Sequence, residues 1–255
     1  FAEPFIFDVM KFMNELAVED AKAPGTRRRA YADPAWREKL RSEVTPLFQR
    51  WWDRVVIAWA PSAKELEEQP LAVAAAKLGK DPVDLALDLA LASDLQARFR
   101  MAVMNFDEKE VAELITDPHT IIALSDAGAH ASQLCDACYS TYLLGHWVRD
   151  KKTFTVEQAV HNLTQRPAEM FGITDRGLLA LGRPADVVVF DPKTVGPGPL
   201  KRVYDMPAGA DRLVSEASGI DVVIVNGKLI RRDGKDAIAD NDKLPGRLLR
   251  HGRAA

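Results

Sequence analysis

The sequence predicts a mixed α/β fold, and three features carry that expectation. Short apolar runs alternate with helical patterns over roughly the first two thirds of the chain, the hydrophobic period changes after about Asp175, and no run reads as a membrane span. Strand, helix, strand, helix, strand, with crossovers long enough to hold helices, is the order of a parallel α/β unit.

Taken in order, Phe5, Val9, Met10, Met13, Leu16 and Ala17 recur at helical spacing until Pro24 and Gly25 end the pattern. The triplet Arg27, Arg28, Arg29 has no aromatic or further basic cluster beside it and reads as solvated loop rather than a binding patch. Asp33 then Pro34 is a cap and first-turn residue, opening a helix through Trp36, Leu40 and Val44 that Pro46 interrupts. Arg54 to Trp59, RVVIAW, has the β-branched density of a buried strand. Two helices follow, Pro70 to Leu78 and Asp81 to Ala92, separated by Gly79, the second opened by Asp81 and Pro82. Phe99 to Met104 is a second strand, ended by Asn105 as a turn residue. Asp107 to Thr116 is a helix with a capping box from Asp107 to Glu110 and an apolar stripe of Val111, Leu114 and Ile115.

Ile121, Ile122, Ala123 and Leu124 form a continuous apolar run, the pattern of a strand buried on both faces. Ser125, Asp126, Ala127 and Gly128 follow with no polar linker, which carries a carboxylate at the tip of that strand. A helix cap or turn residue is the competing reading of Asp126. Thr155 to Asn162 is a further helix with a Thr155 to Gln158 capping box, and Pro167 to Phe171 a short one closed by Gly172. Val187 to Phe190 and Val222 to Val225 are short strands, and the second turns through Asn226-Gly227 into Leu229 and Ile230, a strong hairpin signal.

The 255 residues are 47% hydrophobic and 28% charged, which suits a globular protein with a sizeable core. The 34 basic and 37 acidic residues are intermingled, and a net charge of -3 gives no field of one sign for nucleic acid or an anionic membrane. The two cysteines are too few for a disulfide scaffold and fit a reducing compartment, so a cytoplasmic location is expected. No signal-peptide pattern opens the sequence, and Phe1 is not an initiator methionine, so the start reads as an internal cut.

The run Asp117 to Asp150, DPHTIIALSDAGAHASQLCDACYSTYLLGHWVRD, resembles the last barrel strand and following helix of the amidohydrolase superfamily, in particular its N-acyl-D-amino-acid deacylase (D-aminoacylase-like) branch. Gly182 to Pro192, GRPADVVVFDP, resembles that superfamily's return into its small β-domain. The resemblance implies the C-terminal part of a (β/α)8 TIM-like barrel over residues 1–175, plus a small β-sandwich-type domain and tail over 176–255. The strands ending near Trp59, Met104 and Leu124 would be the last three of the barrel. A complete barrel takes about 250 residues, so the expectation is the C-terminal portion of a larger enzyme. Its exposed barrel edges would pair with the remaining portion or with another copy, as a homo-oligomer.

The same resemblance assigns chemistry. It implies a hydrolase acting on the amide of a small N-acyl amino acid, with Asp126 as the catalytic proton carrier, also touching the metal. His130 would bind the substrate carboxylate or steady Asp126; a helix-start histidine without catalytic duty is the alternative. Zinc or another divalent metal would be held, in the whole enzyme, mainly by histidines and by a Cys or other bridging ligand from earlier strands. This chain has no His-x-His pair and no histidine before His119, so alone it is expected to hold no metal and to be inactive. The alternatives are a cyclic-amide hydrolase of the hydantoinase or dihydroorotase kind, or a non-catalytic structural module. His119, His146, His161 and His251 read as structural or solvated. Cys135 and Cys138 form a C-x-x-C spacing that in isolation suggests a redox pair or half a zinc site; with no second pair they read as helix or loop cysteines. There is no G-x-S-x-G turn and no Gly-rich phosphate loop.

Overall fold

A computed structural model of the chain describes residues 16, 19–43, 52–102, 105–123, 131, 135, 137–239, 241–250 and 253–254. The chain divides into two compact units, Phe1–Phe106 and Asp107–Ala255. Among the described residues no helix is long and apolar enough to cross a membrane.

The first unit carries helices α1 (Thr26–Ala32), α2 (Pro34–Glu43), α3 (Leu71–Lys77) and α4 (Pro82–Ala92), with strands β1 (Val55–Trp59) and β2 (Arg98–Met101). Helix α4 starts where the sequence says it should: the Asp81 carboxylate accepts the Val83 N–H at 2.8 Å, and Pro82 occupies the first turn, where its missing N–H costs nothing. Val83, Leu85, Ala86, Leu87, Leu89 and Ala90 are all buried, so α4 is apolar nearly all round and forms the centre of this unit. Its polar side is the pair Asp84 and Asp88, which α2 meets with arginines. Arg41 Nη1 lies 2.7 Å from Asp84 Oδ2 and Arg37 Nη2 lies 2.8 Å from Asp88 Oδ1. Burial pushes the Asp88 carboxyl up, but hydrogen bonds from Lys80 and Arg37 outweigh it and hold the group below the usual carboxylate range.

Strands β1 and β2 pair antiparallel, with Val55 opposite Met101 and Ile57 opposite Phe99. This corrects the expected parallel arrangement of the strands ending near Trp59 and Met104. The reason lies in the alternation of Arg98, Phe99 and Arg100. A parallel barrel strand is covered on both faces, whereas here Ile57 and Phe99 are buried together while the Arg100 guanidinium pairs with Glu68 and Arg98 sits over the Trp59 ring at 5.4 Å. The pair is buried on one face and polar on the other. Asn105 has φ of 53°, the left-handed conformation expected of a turn residue.

The second unit opens with α5 (Glu108–Thr116). The Asp107 carboxylate accepts the N–H groups of Lys109 at 2.9 Å and Glu110 at 3.3 Å, which explains its start. Of the expected stripe, Val111 and Ile115 pack on the core but Leu114 is exposed. Within the expected third strand, Ile122 packs against the same core, yet Thr120 to Ala123 join no sheet among the described residues. Helix α6 (Tyr139–Tyr142) runs straight into a π-helix, Leu143–Asp150, followed by α7 (Val156–Leu163) and α8 (Gln165–Met170). The capping box of α7 forms as read, Gln158 N–H to Thr155 Oγ1 at 3.2 Å and Thr155 N–H to Gln158 Oε1 at 2.9 Å.

Short strands follow among the described residues: β3 (Val187–Phe190), β4 (Gly196–Pro197), β5 (Lys201–Val203), β6 (Arg212–Val214), β7 (Ala217–Ser218), β8 (Ile220–Val225), β9 (Lys228–Arg232), β10 (Lys235–Asp236), β11 (Leu249–Arg250) and β12 (Arg253–Ala254), the last two paired with each other. Strands β10, β9, β8 and β3 lie side by side in one antiparallel sheet, while β4 with β7 and β5 with β6 form separate ladders. Strands β8 and β9 are joined by the expected two-residue turn, Val225 facing Lys228 across Asn226 and Gly227, both at positive φ (47° and 79°).

Within the second unit, helices and strands share a core. Leu143, Leu144 and Trp147 of the π-helix, Phe154 and Ala159 share one core with Val195, and Phe190 and Ile220 pack against it. Arg149 Nη1 adds a hydrogen bond of 2.5 Å to the Val195 carbonyl. The helices after residue 107 therefore belong with the strands that follow them.

Candidate functional site

Asp126 and His130, the two residues to which the sequence assigns chemistry, lie outside the described residues, as does His251. The described residues on either side are fixed by main-chain contacts. On the N-terminal side Thr120 Oγ1 donates to the carbonyls of Leu114 at 2.7 Å and Asp117 at 3.1 Å, folding the entry back over the end of α5. His119 belongs to the same turn: its N–H donates to Asp117 Oδ1 at 2.7 Å and its imidazole is exposed, the structural duty the sequence gave it. On the C-terminal side the Ala131 carbonyl accepts the Leu213 N–H at 2.7 Å, which ties the exit to β6. The SDAGAH run is thus bracketed by two anchors, one on α5 and one on β6.

Cys135 and Cys138 carry thiols, and neither is in a disulfide. Cys138 Sγ lies 3.6 Å from the Cys135 carbonyl oxygen. Among the described residues no group of three or more His, Cys, Asp or Glu is placed to hold a metal ion. The ligand set implied for zinc is therefore not assembled by these residues.

A cluster that the sequence did not reveal surrounds His146. Its Nε2 lies 2.8 Å from Glu108 Oε1, its ring stacks on Tyr142 at 4.7 Å and 15°, and it meets Trp147 edge-on at 5.1 Å. The Lys151 ammonium pairs with the same Glu108 carboxylate. That hydrogen bond from Lys151, with a second from His146, holds the Glu108 carboxyl below its ordinary value of 4.5. Burial, with the Glu108 charge second, pushes the Tyr142 phenol up. Tyr142 and His146 stand four positions apart in sequence, whereas Glu108 is a partner 38 positions away. His161 is exposed on α7.

The Glu108 contacts give a pH dependence with a definite sign. A carboxyl whose folded pKa is depressed adds stability above its unfolded pKa, and that contribution fades as pH falls through the folded value. The stability difference between wild type and Glu108→Gln should be constant near neutrality and shrink below the ordinary value of 4.5. Urea unfolding midpoints of the two proteins, taken from about pH 7 down to about pH 3, check this.

Similarity to known proteins bears on what these residues belong to. The model of a family described as the amidohydrolase family matches residues 46–231, a span that reaches into both compact units and contains Asp126 and His130. The chain belongs to the amidohydrolase family. This amidohydrolase chain is 34% identical over 202 residues to an N-acyl-D-glutamate deacylase of Alcaligenes xylosoxydans xylosoxydans, a match covering 78% of the chain and 36% of that protein. It is 33% identical over 176 residues to a D-aminoacylase of the same organism, covering 68% of the chain and 33% of the relative. Among solved structures, an N-acyl-D-glutamate deacylase from Bordetella bronchiseptica, complexed with zinc and a phosphonate inhibitor, aligns at 31% identity over 73% of the chain and 36% of that protein, with a TM-score of 0.42. The amidohydrolase chain spans about a third of the length of these relatives.

Proposed function

We propose that the protein to which this amidohydrolase chain belongs hydrolyses the amide C–N bond of an N-acyl-D-amino acid. The observation that carries the reading is the match to N-acyl-D-glutamate deacylase across 78% of the chain, and the SDAGAH run adds a carboxylate suited to the chemistry. Amide hydrolysis needs a base for the attacking water and an acid for the leaving nitrogen. In the proposed mechanism Asp126 does both in turn. Its carboxylate takes a proton as the water oxygen bonds to the carbonyl carbon, and gives that proton to the nitrogen as the C–N bond breaks, releasing a carboxylic acid and a free amine. His130 receives the substrate's free carboxylate. A divalent metal such as zinc would supply a more acidic water. The described residues gather no ligand set for one, and the proton path is carried by this chain's own aspartate.

The test is amine release by the natural polypeptide from N-acetyl-D-glutamate and N-acetyl-D-leucine and their L enantiomers, run beside ring opening of dihydroorotate to N-carbamoylaspartate, which frees no amine and is read by chromatography. Release from a D substrate at a rate above that for its enantiomer is expected. Turnover of dihydroorotate with no release from either D substrate would move the assignment to a cyclic-amide hydrolase.

A further inference from the structure

The C-x-x-C pair is unused by the proposed reaction, and the sulfur of one cysteine lies against the main chain of the other. Cys138 precedes α6, and its carbonyl is fixed by the Tyr142 N–H at 2.9 Å and Thr141 Oγ1 at 3.0 Å. Its thiol points back along the chain to the Cys135 carbonyl, 3.6 Å away. Because that oxygen is two bonds from the Cys135 Cα, the sulfur of one cysteine already stands beside the main chain that bears the other. Disulfides form where the two Cα atoms are about 4.4–6.8 Å apart, a separation reached by residues three apart across a turn. Both side chains are half-buried, which leaves room for a small reagent to approach.

We propose that Cys135 and Cys138 form a reversible dithiol/disulfide pair, a redox modification site for low-molecular-weight disulfides such as oxidised glutathione. The thiolate of one cysteine attacks the S–S bond of glutathione disulfide, releasing one glutathione and forming a mixed disulfide. The second cysteine, losing its proton, displaces the other glutathione. Two thiols lose two electrons and two protons in all, and glutathione disulfide becomes two glutathione thiols.

The experiment equilibrates the natural polypeptide with glutathione buffers of graded ratio, blocks remaining thiols with iodoacetamide, and reads the masses of the peptide holding Cys135 and Cys138. The proposal expects both alkylation sites to vanish together, without retained glutathione, and to return with dithiothreitol. Cys135→Ser and Cys138→Ser should each instead retain one glutathione. The folded protein should be half-oxidised in buffers at least about tenfold more reducing than in 8 M urea, about 30 mV, because the fold keeps the Cys138 sulfur beside the Cys135 main chain. Two glutathione adducts on the wild type, or equal or easier oxidation in urea, would overturn it.

Discussion

Replacing Asp126 by asparagine is expected to lower kcat for an N-acyl-D-amino acid by about 10²–10⁴-fold, the usual contribution of a positioned general acid and base. Asparagine keeps the size and hydrogen-bonding shape of the side chain but can neither take the proton from water nor hand it to the departing nitrogen. Because the proposed role is in proton transfer and not in substrate binding, KM should change far less than kcat, the signature of an interaction made in the transition state. Steady-state kinetics on the natural polypeptide, with the urea midpoint as a control for folding, separates this from the competing assignment of Asp126 as a helix cap. A cap substituted by asparagine retains its acceptor oxygen and should leave both rate and midpoint nearly unchanged.

Gly219→Ala should be the most damaging single substitution for stability. Gly219 lies between β7 and β8 with φ of 68°, and a Cβ built there would sit 2.4 Å from the nitrogen and 2.6 Å from the Cα of Val195. Those are main-chain atoms and cannot swing aside. Val195 is itself buried in the core shared by the π-helix and the sheet, and the Gly219 carbonyl accepts the Asp191 N–H at 2.9 Å. Relieving the overlap means parting β8 from the turn after β3, where Phe190 faces Ile220. A loss of about 3–5 kcal/mol is expected, in the range reserved for overpacking and strained backbone. Gly227→Ala is the matched control, since Gly227 also has positive φ but nothing lies within 4 Å of its Cβ position. It should cost only the backbone strain, about 1 kcal/mol. If urea denaturation shows equal losses, the close approach of Val195 is not what Gly219 serves.

The parts of the fold that were legible in the sequence are those decided locally. Asp81, Asp107 and Thr155 cap the helices they precede because a short polar side chain reaches N–H groups two or three residues on. Asn226-Gly227 makes its hairpin because both residues tolerate positive φ. Strand pairing was a different matter. RVVIAW and FRMAVM have the apolar density of buried strands, but the alternating Arg98 and Arg100 mark a strand with one solvated face, and the pair is antiparallel. The core that joins Trp147 to Val195, Phe190 and Ile220 is not legible locally, because its contacts link positions far apart in sequence. At the site, Asp126 stood out through an abrupt change from apolar strand to carboxylate and glycine. His146 did not, since its partner Glu108 belongs to another helix.

The measurement that tests the account most directly is the kcat of Asp126→Ala, with and without added formate. A carboxylate that shuttles a proton leaves a gap that a small free acid can fill. The account predicts a rate well below wild type that rises with formate concentration, with acetate less effective because it is larger. A rate equal to that of the wild type without any formate would contradict it.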